Sequence, residues 1–134
     1  MDENHGIKKA IEFVEEFHNS FKIKNNHTPT ADIDEKVIEL RYRLMQEEND
    51  EYLEAAKNKD LVEIADALGD QLYILCGTIL THGMQYKIWE VFEEIQRSNM
   101  SKLDENGQPI FREDGKVMKS AKYFKPDIKS IIEQ

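Results

Sequence analysis

The sequence predicts an all-α fold: an antiparallel bundle of four to five helices, closed by a short irregular C-terminal hairpin and tail. Three observations carry this. Apolar residues recur at helical spacing in four successive segments. The connections between those segments are short enough for antiparallel neighbours. The turn signals of a hairpin, Asn106-Gly107 and Asp114-Gly115, are confined to the tail. A length of 134 residues fits one domain spanning 1–134.

The first helix is expected from about Ile7 to Lys22, where Ala10, Ile11, Val14, Phe17 and Phe21 share one face. Paired Asn, Thr-Pro and Thr break the pattern between Lys24 and Ala31. Asp34 is a suitable N-cap for a second helix ending near Lys57-Asn58, with Val37, Leu40 and Leu44 on its inward stripe. Asp60 caps a third helix that reaches about His82 and stops at Gly83. The fourth runs from about Lys87 to Lys102 on an apolar face of Ile88, Val91, Phe92 and Ile95. Ile110-Phe111 and Val117-Met118 frame the irregular hairpin, an extended run passes through Tyr123-Phe124 and Pro126, and a last half-turn is expected over 128–132.

Composition narrows the function classes. The net charge is −9, which argues against a nucleic-acid partner, since that requires a positive footprint. An acidic protein acts on phosphates only where divalent cations bridge the two sets of negative charge. The single cysteine, Cys76, lies in an apolar run and reads as a core thiol in a reducing cytosol. The first residues lack the basic and apolar regions of a signal peptide, and the longest apolar stretch, Leu72–Leu80, is too short for a bilayer. The expectation is a cytoplasmic protein with no membrane partner. A chain this small buries surface inefficiently, so self-association would help it.

The candidate site is acidic. Glu47-Glu48-x-x-Glu51 is followed by Glu63-x-x-Asp66, with Asp70 one turn later. With 27 Asp and Glu in the chain, the bare pattern is close to what composition alone offers, and placement carries more weight. On the second helix these carboxylates continue the stripe of Leu40 and Leu44, where apolar residues would be expected. On the third, Ile64, Leu68, Leu72, Leu75 and Ile79 form one face and Glu63, Asp66 and Asp70 the opposite one. That acidic face continues into Tyr73 and Gly77, on a helix apolar nearly all round from Leu72 onward, so it is expected to point into the bundle or a subunit interface. No Lys or Arg falls on these stripes. Crowded, half-buried carboxylates need protons, cations or a metal. Oxygen ligands on two helices suit Mg²⁺, or Mn²⁺, over soft metals. The competing reading is a solvated helix surface laced with acid–lysine pairs.

The run Gln46-Glu47-Glu48-Asn49-Asp50-Glu51 with Glu63-Ile64-Ala65-Asp66 resembles the EExxE…ExxD signature of the all-α NTP pyrophosphohydrolases, the superfamily of MazG, the dimeric dUTPases and phosphoribosyl-ATP pyrophosphohydrolase. Ile64 to Tyr73 also resembles their third helix. Arg97-Ser98-Asn99-Met100-Ser101-Lys102, Asp114-Gly115-Lys116-Val117-Met118-Lys119 and Tyr123-Phe124-Lys125-Pro126-Asp127 resemble the phosphoribosyl-ATP pyrophosphohydrolase-like, MazG-like branch. The resemblance implies a MazG-like bundle, a homodimer or dimer of dimers, and Mg²⁺-dependent hydrolysis of a (deoxy)nucleoside triphosphate to monophosphate and pyrophosphate, as in nucleotide-pool house-cleaning. It implies metal ligands at Glu48, Glu51, Glu63 and Asp66, with Asp70 a further member. Glu47 is a ligand or the base that orients water, and Glu48 also stands in the catalytic pair. Asn99 and Lys102 match the substrate-contacting pair, with Lys116 and Lys119 adding to it. His18 is a candidate for contact with the base, and Phe17 and Phe21 either stack on it or fill the core, the core reading being favoured for the two rings. Two alternatives stay open: phosphoribosyl-ATP hydrolysis in histidine biosynthesis, and a non-catalytic helical interaction module.

Overall fold

The computed structural model describes residues 5–134; Met1–Asn4, part of the segment read as lacking a signal peptide, lie outside the described residues. The described residues are helical with no strand beyond one isolated bridge. The chain divides into two compact units, Met1–Tyr86 and Lys87–Gln134.

The first unit holds α1 (His5–Ser20), α2 (Glu35–Lys57) and α3 (Leu61–Thr81). The caps are those the sequence signals. Asp34 accepts from the Lys36 amide at 2.8 Å and Asp60 from the Glu63 amide at 3.2 Å. All three helices end in the same way, with a left-handed residue at Lys22, Lys59 or Gly83 and a pair of amides folding back on the last turn. At the end of α2, Lys59 N–H donates to Ala56 O and Asp60 N–H to Ala55 O, both at 3.1 Å. Because Asp60 also caps α3, the turn between α2 and α3 is only Asn58-Lys59-Asp60, and the two helices must pack antiparallel as a hairpin. α1 packs against α3.

The segment between α1 and α2 is held by the C-terminal carbonyls of α3, which no intrahelical amide can reach. Asn26 donates to Leu80 O (2.9 Å) and Thr81 O (2.7 Å), and the Thr30 amide donates to His82 O (2.8 Å). Gly83 has φ +67°, and a Cβ there would overlap the Thr28 carbonyl, so glycine is required twice over.

One expectation changes. Ile79 is buried, but Leu68, Leu72 and Leu75, on the face read as apolar, are each about half exposed. The side of α3 that is shielded within the chain runs through Ala67, Asp70, Ile74, Gly77 and Thr81. Two helices cover only one side of a third, so an apolar-all-round helix keeps a bare side.

The second unit holds α4 (Ile88–Met100) and α5 (Ile128–Ile132). The expected hairpin is present as a bridge between Phe111 and Val117 around the Asp114-Gly115 turn. The tail is tied to α4 by hydroxyls. Ser98 Oγ donates to Phe124 O (2.9 Å), Ser101 Oγ accepts from the Phe124 amide (3.0 Å), and Glu94 accepts from the Asp127 amide (2.7 Å). The Arg97 guanidinium lies over the Phe124 ring at 4.4 Å. No helix among the described residues is long and apolar enough to cross a membrane.

Candidate active site

The α2–α3 hairpin places its acids by simple counting. Glu48 lies eleven residues before Lys59 and Asp70 eleven after it, so the turn brings them to the same level on facing helices. Glu51, one turn from Glu48, joins them. Ligand oxygens of Glu48, Glu51 and Asp70 all lie within 4.8 Å of one another. Beside them, Gln71 Nε2 donates to Asn49 Oδ1 at 3.1 Å, which locks the register of the two helices at this level.

Glu48 is the most perturbed member. It is half-buried, and its Oε2 is sealed from solvent with no hydrogen-bond partner among the described residues. Its pKa is pushed up to about 7. Burial is the first cause; a protonated Glu48 can also donate to Glu51, and the charges of Asp70, Glu51 and Asp66 add repulsion. An orphaned buried carboxylate oxygen beside two further carboxylates is the arrangement that a divalent cation relieves. The donor set is all oxygen and therefore hard, so the residues fit Mg²⁺ or Mn²⁺.

The remaining predicted residues are distributed as follows. Glu63 and Asp66 are exposed and line, with Glu51, Glu54 and Asp60, an open cleft of about 440 Å³. Glu47 is exposed. His18 is buried and bonded through Nδ1 to Asn25 Oδ1 at 2.6 Å. In the second unit, Asn99 and Lys102 line one cleft of about 380 Å³ with Leu103 and Val117. Lys116 is exposed, and Lys119 Nζ sits 4.7 Å from the centre of the Tyr123 ring.

The sequence reading missed one residue. Arg41 occupies the inward stripe of α2, seven residues before Glu48, where no basic residue was expected. It is half-buried and donates to Thr78 Oγ1 (3.0 Å) and Ile74 O (2.7 Å) on α3. The signal was present: Arg41 and Gly77 are each eighteen residues from Lys59, so a missing side chain on α3 faces a long one on α2.

The family model for phosphoribosyl-ATP pyrophosphohydrolase matches residues 14–99, a stretch that includes Glu47, Glu48, Glu51, Glu63, Asp66 and Asp70 and most of α4. No curated protein matches the chain. The matched stretch is more than half of the chain, and it carries the convergent carboxylates on the hairpin that the fold requires. This chain belongs to the phosphoribosyl-ATP pyrophosphohydrolase family, within the MazG-like all-α superfamily of pyrophosphohydrolases.

Proposed function

We propose that the protein is a Mg²⁺-dependent pyrophosphohydrolase that converts a (deoxy)nucleoside triphosphate and water to the monophosphate and pyrophosphate. The observation that carries this is Glu48: a carboxylate oxygen buried without a partner, facing Glu51 and Asp70, in a chain of this family. Glu48, Glu51 and Asp70 would hold the cation, with Glu63 and Asp66 as further ligands on the adjoining cleft. Bound Mg²⁺ would neutralise triphosphate charge and acidify a nearby water. Glu47, or Glu48 where it is free of the cation, takes the proton of the attacking water and aims its oxygen in line at the α-phosphorus. The bond to the bridging oxygen breaks, and pyrophosphate leaves with the electron pair.

Asn99 and Lys102 are the phosphate-contacting residues in this reading, supported by the cleft they share, with Lys116 and Lys119 as further cations. His18 contacts the base. The match crosses the boundary between Tyr86 and Lys87, which supports reading α4 together with the first unit, within a single domain proposed over 1–134. The half-exposed Leu68, Leu72 and Leu75, with Leu61 and Val62 about three-quarters exposed, support a homodimer or dimer of dimers.

The test is pyrophosphate release from a panel of canonical and damaged (d)NTPs with Mg²⁺ or Mn²⁺. Phosphoribosyl-ATP belongs in the panel as the compound for which the family is named. Release from a triphosphate that disappears on chelation is expected. A folded protein that releases pyrophosphate from none of these compounds would sink the enzyme reading, and turnover confined to phosphoribosyl-ATP would replace the substrate.

A further inference from the structure

Arg41 is a second unmet charge on the same hairpin. Its Nε and one Nη2 hydrogen are committed to Thr78 Oγ1 and Ile74 O, but neither Nη1 hydrogen has a protein acceptor among the described residues. No carboxylate lies within ion-pair distance of it among the described residues either. Burial accordingly draws its pKa down. A guanidinium is a donor only, with a planar fork that suits carbonyl and phosphate oxygens. The place is kept open by Gly77, where a Cβ would overlap Arg41 Nη2 and stand 3.0 Å from His18 Nε2.

His18 supplies the opposite polarity. Asn25 Nδ2 donates to Asn19 Oδ1 at 3.2 Å, which turns the Asn25 oxygen toward the imidazole. His18 Nδ1 is therefore the donor. Burial is the largest influence and lowers the His18 pKa, reinforced by the Arg41 charge and opposed by the Asn25 bond and the Glu15 charge, while the Asn25 bond occupies the ring's Nδ1. Its Nε2 is left as a lone-pair acceptor.

Both groups line one cavity of about 350 Å³, whose other walls are largely apolar: Val14, Val37, Leu44 and the rings of Phe17 and Tyr73. The two rings meet edge to face at 5.7 Å between centres. The volume falls in the range of ligand sites, roughly 300–1,000 Å³. A flat heterocycle with apolar faces and a polar edge matches a largely apolar chamber in which Arg41 donates and His18 accepts, with Lys24 and Thr81 as its further polar lining.

We propose that Arg41 selects the base of the nucleotide, its Nη1 donating to the keto oxygen of a lactam edge while His18 Nε2 accepts from the adjacent ring N–H. Guanine, uracil, thymine and hypoxanthine carry that edge. Adenine and cytosine present the reverse order, an amino group beside an unprotonated ring nitrogen. Arg41 and His18 are held by their own bonds and cannot exchange places. This rests on the nucleotide reading above and adds the class of base.

The experiment measures two things on the full chain. One is binding of free guanosine, uridine, adenosine and cytidine, followed by amide shifts without Mg²⁺. The other is kcat/KM for the four triphosphates with Mg²⁺. The lactam nucleosides are expected to bind at least about tenfold tighter than adenosine and cytidine, and Arg41→Met to erase about ten- to a hundredfold of selectivity. Arg41→Lys, which keeps the cation and loses the fork, is expected to fall between. The readout is a ratio between substrates, so a partly unfolded variant, which loses all substrates alike, does not mimic the result. Equal affinity for the four nucleosides, no binding of any, or an unchanged ratio in Arg41→Met overturns the assignment. Hydrolysis without base selectivity leaves the enzyme reading standing and removes Arg41. Selective binding without hydrolysis does the reverse.

Discussion

The α2–α3 hairpin carries two partly buried charge sites of opposite sign about 10 Å apart along α2, two turns of helix. At the level of Glu48 and Asp70 the site is anionic, and its carboxylates crowd one another. At the level of Arg41 and Gly77 it is cationic, and the guanidinium is held by neutral oxygens of α3. The fold treats them differently. The acids crowd one another and raise the free energy of the metal-free protein. The arginine ties α2 to α3 and lowers it. One level is crowded at a cost in stability, whereas the other holds the hairpin together.

That contrast can be broken at each level. The largest effect is expected from Glu48→Gln and Glu51→Gln. Each should reduce Mg²⁺-dependent pyrophosphate release by at least about a hundredfold, while the melting temperature without metal stays level or rises, because repulsion is removed. A loss of both activity and stability would show that the carboxylates are structural. Arg41→Met should lower stability by about 1–3 kcal/mol through loss of two hydrogen bonds from a charged donor, measured by urea unfolding.

The two glycines of α3 sharpen the same comparison. Gly77→Ala should destabilise by about 1–3 kcal/mol, because its Cβ overlaps Arg41. Gly69→Ala, whose Cβ meets nothing within 4 Å, should stabilise by about 0.5–1 kcal/mol from helix propensity alone. Thermal melts of the two variants are expected to move in opposite directions.

The crowded acids also predict a pH dependence for the proposed metal binding. Glu48 holds its proton up to about pH 7 in the folded chain, above its unfolded value near 4.5. Between these values the folded state binds more protons than the unfolded one, so metal-free stability falls as pH rises through that window. The cation competes with the same proton, so Mg²⁺ affinity should tighten between pH 6 and pH 8. A pH-independent affinity by calorimetry would remove Glu48 from the ligand set. The smallest effect is at the turn itself: Lys59 sits at φ +56°, and Lys59→Gly should stabilise by on the order of 0.5–1 kcal/mol.

Much of the fold is legible in the chain because its signals are local. Asp34, Asp60 and Gly83 mark ends that the hydrogen bonds reproduce, and Asp114-Gly115 marks a turn that closes the bridge at Phe111 and Val117. Lys22 and Lys59 were harder to read as stops, since lysine has no preference for the left-handed conformation and tertiary packing imposes it. The acidic residues were visible as a cluster. Which of them share one ion-sized space was not, because that depends on how α2 faces α3.

The sequence by itself determined the helices, their caps, the acidic run and the family. The tertiary structure decided which residues meet. Helical periodicity places residues on faces, but the three-residue turn at Lys59 sets the register between faces. It brings Asp70 level with Glu48, and it sets Arg41 against the bare backbone of Gly77. A one-dimensional pattern contains both glycine and arginine; only the hairpin shows that one makes room for the other.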